Sequence, residues 1–214
     1  MFIGHFGLAF AAKRFAPRPS LGLTFVAAQL ADLLWPIFLL VGIEHVRVAP
    51  GTNPFLNLDF TSYPWSHSLL AELVLGAILG ALYFAATGDR RGTWVLFALV
   101  PSHWMIDWIT HIPDLPLTPW STTKVGLGLW KNPTATIVVE LLVFGIGVAI
   151  YARSTRAIDK RGKYGLWSLV VVLLLFYVAS IVSPPPASVT ALAAGALIGW
   201  PLCLWPWWVD RHRS

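Results

Sequence analysis

The 214-residue chain has little of what a soluble protein carries. Charged residues make up 12% of it, about half the usual share of a soluble domain. Beside 57% hydrophobic residues and a mean hydropathy of +0.68, that scarcity excludes an ordinary soluble enzyme and a disordered chain. A single cysteine, Cys203, excludes a disulfide framework and a cysteine-rich zinc site. The chain lacks a glycine-rich phosphate loop, a serine nucleophile elbow and a His-Glu-x-x-His element. It lacks a repeat of fixed period and a low-complexity tract, so residues 1–214 read as one membrane domain. The first twelve residues lack the leading positive charges of a secretory signal; Lys13 and Arg14 follow the apolar run instead, so no cleavage is expected. This segment is too short to cross a bilayer and reads as an interfacial or re-entrant helix.

What the chain does have is apolar runs of about 20 residues, each long enough to span a bilayer as a helix. They fall at about 21–43, 66–87, 92–112, 133–151, 164–183 and 187–209. The expected fold is therefore an all-α integral membrane protein, a bundle of about six transmembrane helices. Of the 15 Lys and Arg, only Arg47, Lys124 and Lys131 fall outside if the N-terminus lies in the cytoplasm. The positive-inside rule then places both termini in the cytoplasm. The net charge of +5 is thus a topology signal, and no nucleic-acid partner follows from it. Tryptophans such as Trp205, Trp207 and Trp208 read as interfacial anchors.

The informative residues are those that lipid should exclude. Asp32, Glu72, Asp107 and Glu140 lie inside the expected spans with His67, His103 and His111, and no Lys or Arg lies well inside any span. Each buried charge costs about 2.5–3.5 kcal/mol on insertion scales. Protons, a wet cavity or metal ions must therefore relieve the carboxylates. Imidazole beside carboxylate suits zinc or a similar divalent ion. His103, Asp107 and His111 stand at i, i+4 and i+8, one above the other on a single helix face. By helical rise, His103 lies about 13 Å below the outer end of its span and Asp32 about 16 Å below that of the first. Pro36 follows Asp32 by four and should kink the first span there; Pro101 should do the same just before His103. Ser66 reads as the cap of the second span, with His67 on its first turn. His5 can join the others only if the N-terminal segment re-enters the membrane. Glu44 and His45 read as rim residues, and Glu140 as supporting the centre or as a protonated structural group.

Gly4–His5–Phe6–Gly7, Asp32, Ser66–His67–Ser68 and Ser102–His103 with Asp107 resemble the YdjM-type family of inner-membrane proteins, also called DUF457. Its members are described as predicted membrane-bound metal-dependent hydrolases. The resemblance covers roughly residues 1–150. Members commonly carry Pro-Asp-x-Asp in the first helix, where this chain reads Gln29–Leu30–Ala31–Asp32. They carry His-Arg-Gly-x-Thr-His-Ser before the second, where it reads Ser62–Tyr63–Pro64–Trp65–Ser66–His67–Ser68. Asp59 and His111 are the residues that would stand in for the missing ligands.

Two functions stand ahead of a haem-binding electron carrier with His103 and His67 as axial ligands, whose acidic neighbours would go unused. The first is a metal-dependent hydrolase of the bacterial inner membrane, cleaving a phosphoester in a lipid or lipid-linked substrate. Its metal, zinc by preference, would be held by His5, Asp32, His67, His103, Asp107 and His111, with Glu72 or Asp59 as general base. The second is a metal-ion or proton transporter using the same histidines and carboxylates, against which the lack of an internal repeat counts.

Overall fold

A computed structural model describes residues 1–51 and 55–214; residues 52–54 of the expected loop after the first span lie outside the described residues. The described residues are mostly helical, with two small antiparallel ribbons among them. Helix α1 (Ile3–Ala12) leads to α2 (Leu21–Ala28) and α3 (Leu30–Leu40). Strands β1 (His45–Val48) and β2 (Leu58–Ser62) pair antiparallel. A single turn, α4 (Pro64–His67), precedes α5 (Leu69–Thr87) and α6 (Arg90–Thr110). The second ribbon joins β3 (Leu115–Pro116) to β4 (Lys124–Val125). Helices α7 (Pro133–Ser154), α8 (Lys160–Val182), α9 (Val189–Ala196) and α10 (Gly199–Asp210) complete the chain.

Among the described residues, four helical stretches are long and apolar enough to cross a membrane: α5, α7, α8 and Val189–Asp210. A fifth arises if α2 and α3, bent by 57°, count as one broken span. Helix α6 has 21 residues but falls short of that apolarity, because Arg90, Arg91, Ser102, His103 and Asp107 all lie in it. The ends of these helices have local causes. Asn132 caps α7 by accepting from Ala135 N–H, with Pro133 in the first turn, where no intrahelical donor is needed. Asp159 caps α8 through Gly162 N–H. Gly88 ends α5 at φ +66°, a left-handed conformation that glycine adopts without strain. Large apolar side chains such as Leu82, Ile146, Leu175 and Val182 are exposed on the long helices, as lipid-facing surfaces require.

Two local expectations need correction. Ser68, not Ser66, caps the second span: its hydroxyl accepts from Ala71 N–H at 3.2 Å. Ser66 sits one turn earlier in α4, where Pro64 starts a separate turn. The bend in the first span lies at Gln29 rather than at Asp32. Pro36 sits inside α3 without breaking it.

The N-terminal helix is packed among the other helices. Most of α1 is buried, and it packs on α7, α2 and α6. Phe6 and Phe10 meet Phe25 at ring-centroid distances of 5.0 Å each, and Phe10 reaches Tyr151 at 5.4 Å. The approach of α1 to α7 depends on glycine. A Cβ on Gly147 would stand 2.0 Å from the Gly7 carbonyl oxygen, and one on Gly7 2.6 Å from that of Val143. Glu140 of α7 anchors the start of α1 by accepting from Phe2 N–H (2.8 and 2.9 Å) and Gly4 N–H (3.1 Å). At the other end Asp210 accepts from Lys13 Nζ (2.8 Å), Tyr151 OH (2.9 Å) and Leu21 N–H (3.1 Å). Those bonds tie α1, α2, α7 and α10 together.

Candidate metal centre

Helix α6 supplies the spine of the site. Its turns stack His103 and Asp107, with His111 capping its end, and all three are buried. His103 Nε2 lies 3.3 Å and His111 Nε2 3.4 Å from Asp107 Oδ2. Helix α1 brings His5, whose ring stacks on His103 with centroids 3.6 Å apart and whose Nε2 lies 3.2 Å from Asp107 Oδ1. The Met1 amino group also donates to Asp107 Oδ1, and to Thr110 Oγ1 at 3.3 Å. From α3 and α4 come Asp32 and His67: Asp32 Oδ1 is 3.4 Å from His67 Nε2 and 3.8 Å from His103 Nε2. The depth match expected between Asp32 and His103 is thus realised as a contact. Two ligand sets emerge, His5/His103/Asp107 and Asp32/His67/His103, with the ligand atoms of each within 4.8 Å of one another.

The imidazoles are oriented from behind. At the α2–α3 break the Ala28 carbonyl accepts from His103 Nδ1 at 2.9 Å. Ser66 Oγ donates to Glu44 Oε2 at 2.6 Å and lies 2.7 Å from His67 Nδ1. With its own proton on Glu44, the hydroxyl accepts the His67 Nδ1 proton. Asp114 Oδ1 lies 2.8 Å from His111 Nδ1 and takes a bond from Tyr63 OH at 2.9 Å. Burial, then the Asp114 charge, pushes the Tyr63 phenol well above its usual pKa, so it remains a donor. Each of these three rings therefore spends Nδ1 on an oxygen and turns the Nε2 lone pair toward the carboxylates, the arrangement that fixes a ligating tautomer.

These residues fit a divalent ion. His103 Nε2 and both nitrogens of His5 are buried without a hydrogen-bond partner among the described residues. Two ligands at about 2.05 Å from a tetrahedral ion stand about 3.3 Å apart, and the histidine–carboxylate pairs above are at 3.2–3.8 Å. Asp32 and Asp107 supply the negative charge that a divalent ion needs beside neutral imidazoles, Asp107 sharing its charge with the Met1 ammonium.

All six expected ligands converge, His111 through Asp107. The two expected bases do not join them. Glu72 is wholly buried on α5; its Oε2 accepts from Trp104 N–H at 3.0 Å and its Oε1 has no partner among the described residues. Asp59 lies on the exposed β1–β2 ribbon, paired with Arg47. Glu140 holds backbone rather than ligand. Glu44 is no rim residue: it is 1% exposed and accepts from Trp65 N–H, Ser66 N–H and Ser66 Oγ. Sequence reasoning passed over Asp114 and Tyr63; the one available sign was Asp114 three residues after His111, beyond the helix end.

Fold and site together define a helical membrane protein with a buried histidine–carboxylate centre. The model of the YdjM inner membrane protein family matches residues 2–187, and the chain belongs to that family. The match runs past the expected residue 150 and takes in α8. The chain matches no curated protein and no solved structure.

Proposed function

We propose that this protein is a metal-dependent hydrolase cleaving a phosphoester in a lipid or lipid-linked substrate. It crosses the inner membrane six times with both termini cytoplasmic, a topology supported by the bias of Lys and Arg and by the polar face of α6 turned into the bundle. The observation that carries the reading is the set of inward Nε2 atoms around Asp32 and Asp107, each ring but His5 held from behind by an oxygen. His5, Asp32, His67, His103, Asp107 and His111 would hold the ion, and zinc suits their nitrogen and oxygen donors. The chemistry such an ion supplies when bound is activation of water near neutral pH and withdrawal of charge from a phosphoryl oxygen. In the hydrolysis a water oxygen bonds to phosphorus, the P–O bond to the alcohol breaks, and a water proton ends on that alcohol. Neither expected base is assigned that transfer: Asp59 is held by Arg47 on the ribbon, and Glu72 stands apart from the ligands on α5, accepting from Trp104 N–H. The apolar surroundings of the centre suit an amphiphile that arrives from the bilayer.

The test is turnover by the purified protein in detergent, with zinc or manganese supplied and bis(p-nitrophenyl) phosphate or a phospholipid as substrate. Hydrolysis that a chelator abolishes, metal restores and His103→Ala lacks is the expected result. A metal-loaded protein that cleaves neither substrate would contradict the reading.

A further inference from the structure

Two cavities meet at Asp32. The first, about 180 Å³, holds the metal-site side chains Asp32, His67, Asp107 and His111 under Phe60 and Trp130. The second, about 210 Å³, runs between α3, α8 and the start of α10, with Leu33, Phe176, Gly199 and Leu202 in its walls. Phe2, Asp32 and Trp35 line both. Ile198, also in its wall, is 47% exposed, so the chamber lies close to the outer surface of the bundle. The residues of the second chamber are apolar apart from Asp32 at the junction, Gln29 and Trp35. Gln29 is 3% and Trp35 8% exposed, yet Gln29 Oε1 and Trp35 Nε1 have no partner among the described residues. A buried acceptor and a buried donor left unpaired are costly unless a ligand meets them.

We propose that the second chamber is the chain subsite of the same centre and that its ligand is a single-chain acyl glycerophospholipid. This rests on the hydrolase reading for the chemistry but not for the binding. The phosphate lies in the first cavity, the chain runs past Asp32 into the second, and the glycerol backbone spans the junction. Its ester carbonyl accepts from Trp35 Nε1, and its free hydroxyl donates to Gln29 Oε1. An isoprenoid phosphate offers neither group, and a diacyl lipid lacks the hydroxyl.

Binding is tested first, apart from turnover. A lysophosphatidylglycerol carrying a diazirine at the chain end is photolysed with the purified protein, and the adducts are mapped by mass spectrometry. Adducts at Phe176 and Leu202, competed by unlabelled lysolipid and not by a prenyl phosphate, are expected. Gly199→Leu should remove them while keeping the wild-type metal content; a Cβ at Gly199 already reaches Leu33 Cδ2 at 3.0 Å. Should that variant fail to fold, Trp35→Phe serves: the preference for an ester-linked over an ether-linked lysolipid should fall about fivefold, the worth of one hydrogen bond. For turnover, kcat/KM across monomeric chain lengths should rise about fourfold per methylene until the chamber is filled. Adducts confined to outward-facing positions of α5 or α7, or equal competition by prenyl phosphate, would overturn the subsite. Phe176 and Leu202 adducts with no hydrolysis of any phosphodiester would sink the hydrolase reading and leave the subsite standing.

Discussion

Two buried serines, two residues apart, separate metal chemistry from simple stability. Ser66 links Glu44 to His67 at 2.6 and 2.7 Å; Ser68 caps α5 at 3.2 Å. Ser66→Ala frees the His67 ring from its orienting acceptor and takes the hydroxyl from Glu44, which keeps its two backbone donors on Oε1. Loss of such an orienting partner costs about 10–100-fold in metal affinity, equal to about 1.4–2.7 kcal/mol. Folding should lose about 1.5–3 kcal/mol as well, since the hydroxyl bonds a charged group. Ser68→Ala removes a helix cap worth about 1 kcal/mol and leaves metal affinity where it was. Competition against a chromophoric chelator measures the affinity, and thermal unfolding in detergent measures the stability. If both variants weaken metal binding equally, or if Ser66→Ala unfolds earlier with unchanged affinity, then His67 is not a ligand held by Ser66.

Gly147→Ala should lower the melting temperature and the metal content together, because its Cβ would stand 2.0 Å from the Gly7 carbonyl and push α1 with His5 away from α7; overpacking of this kind costs about 1–3 kcal/mol. Gly145→Ala, whose Cβ meets nothing within 4 Å, is the matched control and should change neither. Backbone donation from Gly162, then the His212 bond, holds the Asp159 carboxyl below its usual pKa. Its contribution is therefore present above pH ~4 and is lost as the pH falls through the lowered value. Thermal unfolding below pH ~4 should lose that increment in the wild type, and Asp159→Asn should flatten this part of the profile.

The ligands on one helix were the most legible part of the site. His103, Asp107 and His111 declare themselves by spacing, since a four-residue step fixes a face wherever the helix lies. Asp32 was reachable by counting depth. His5 was legible only as a conditional ligand, because its place depends on a tertiary contact; the supporting sign was the pair Gly4 and Gly7, small residues on one face of a short helix. The orienting groups were the hardest. Glu44 reads as a rim residue by position, and Ser66 reads as a cap until Pro64 starts its own turn. The fold was legible wherever length and apolarity agree, as in α5, α7 and α8. The first span defeated the reading because Pro36 drew attention from Gln29, where the chain bends and releases the Ala28 carbonyl to His103. Helix α6 failed the apolarity test for the reason that makes it important: it carries the site.

The buried cluster is read here as a metal centre. Elemental analysis of the purified wild-type protein beside His103→Ala/Asp107→Ala tests it directly. Near-stoichiometric zinc, or another divalent metal, is expected in the wild type and none in the double variant. A folded wild type without metal, whose melting temperature does not move on adding zinc or a chelator, would contradict it.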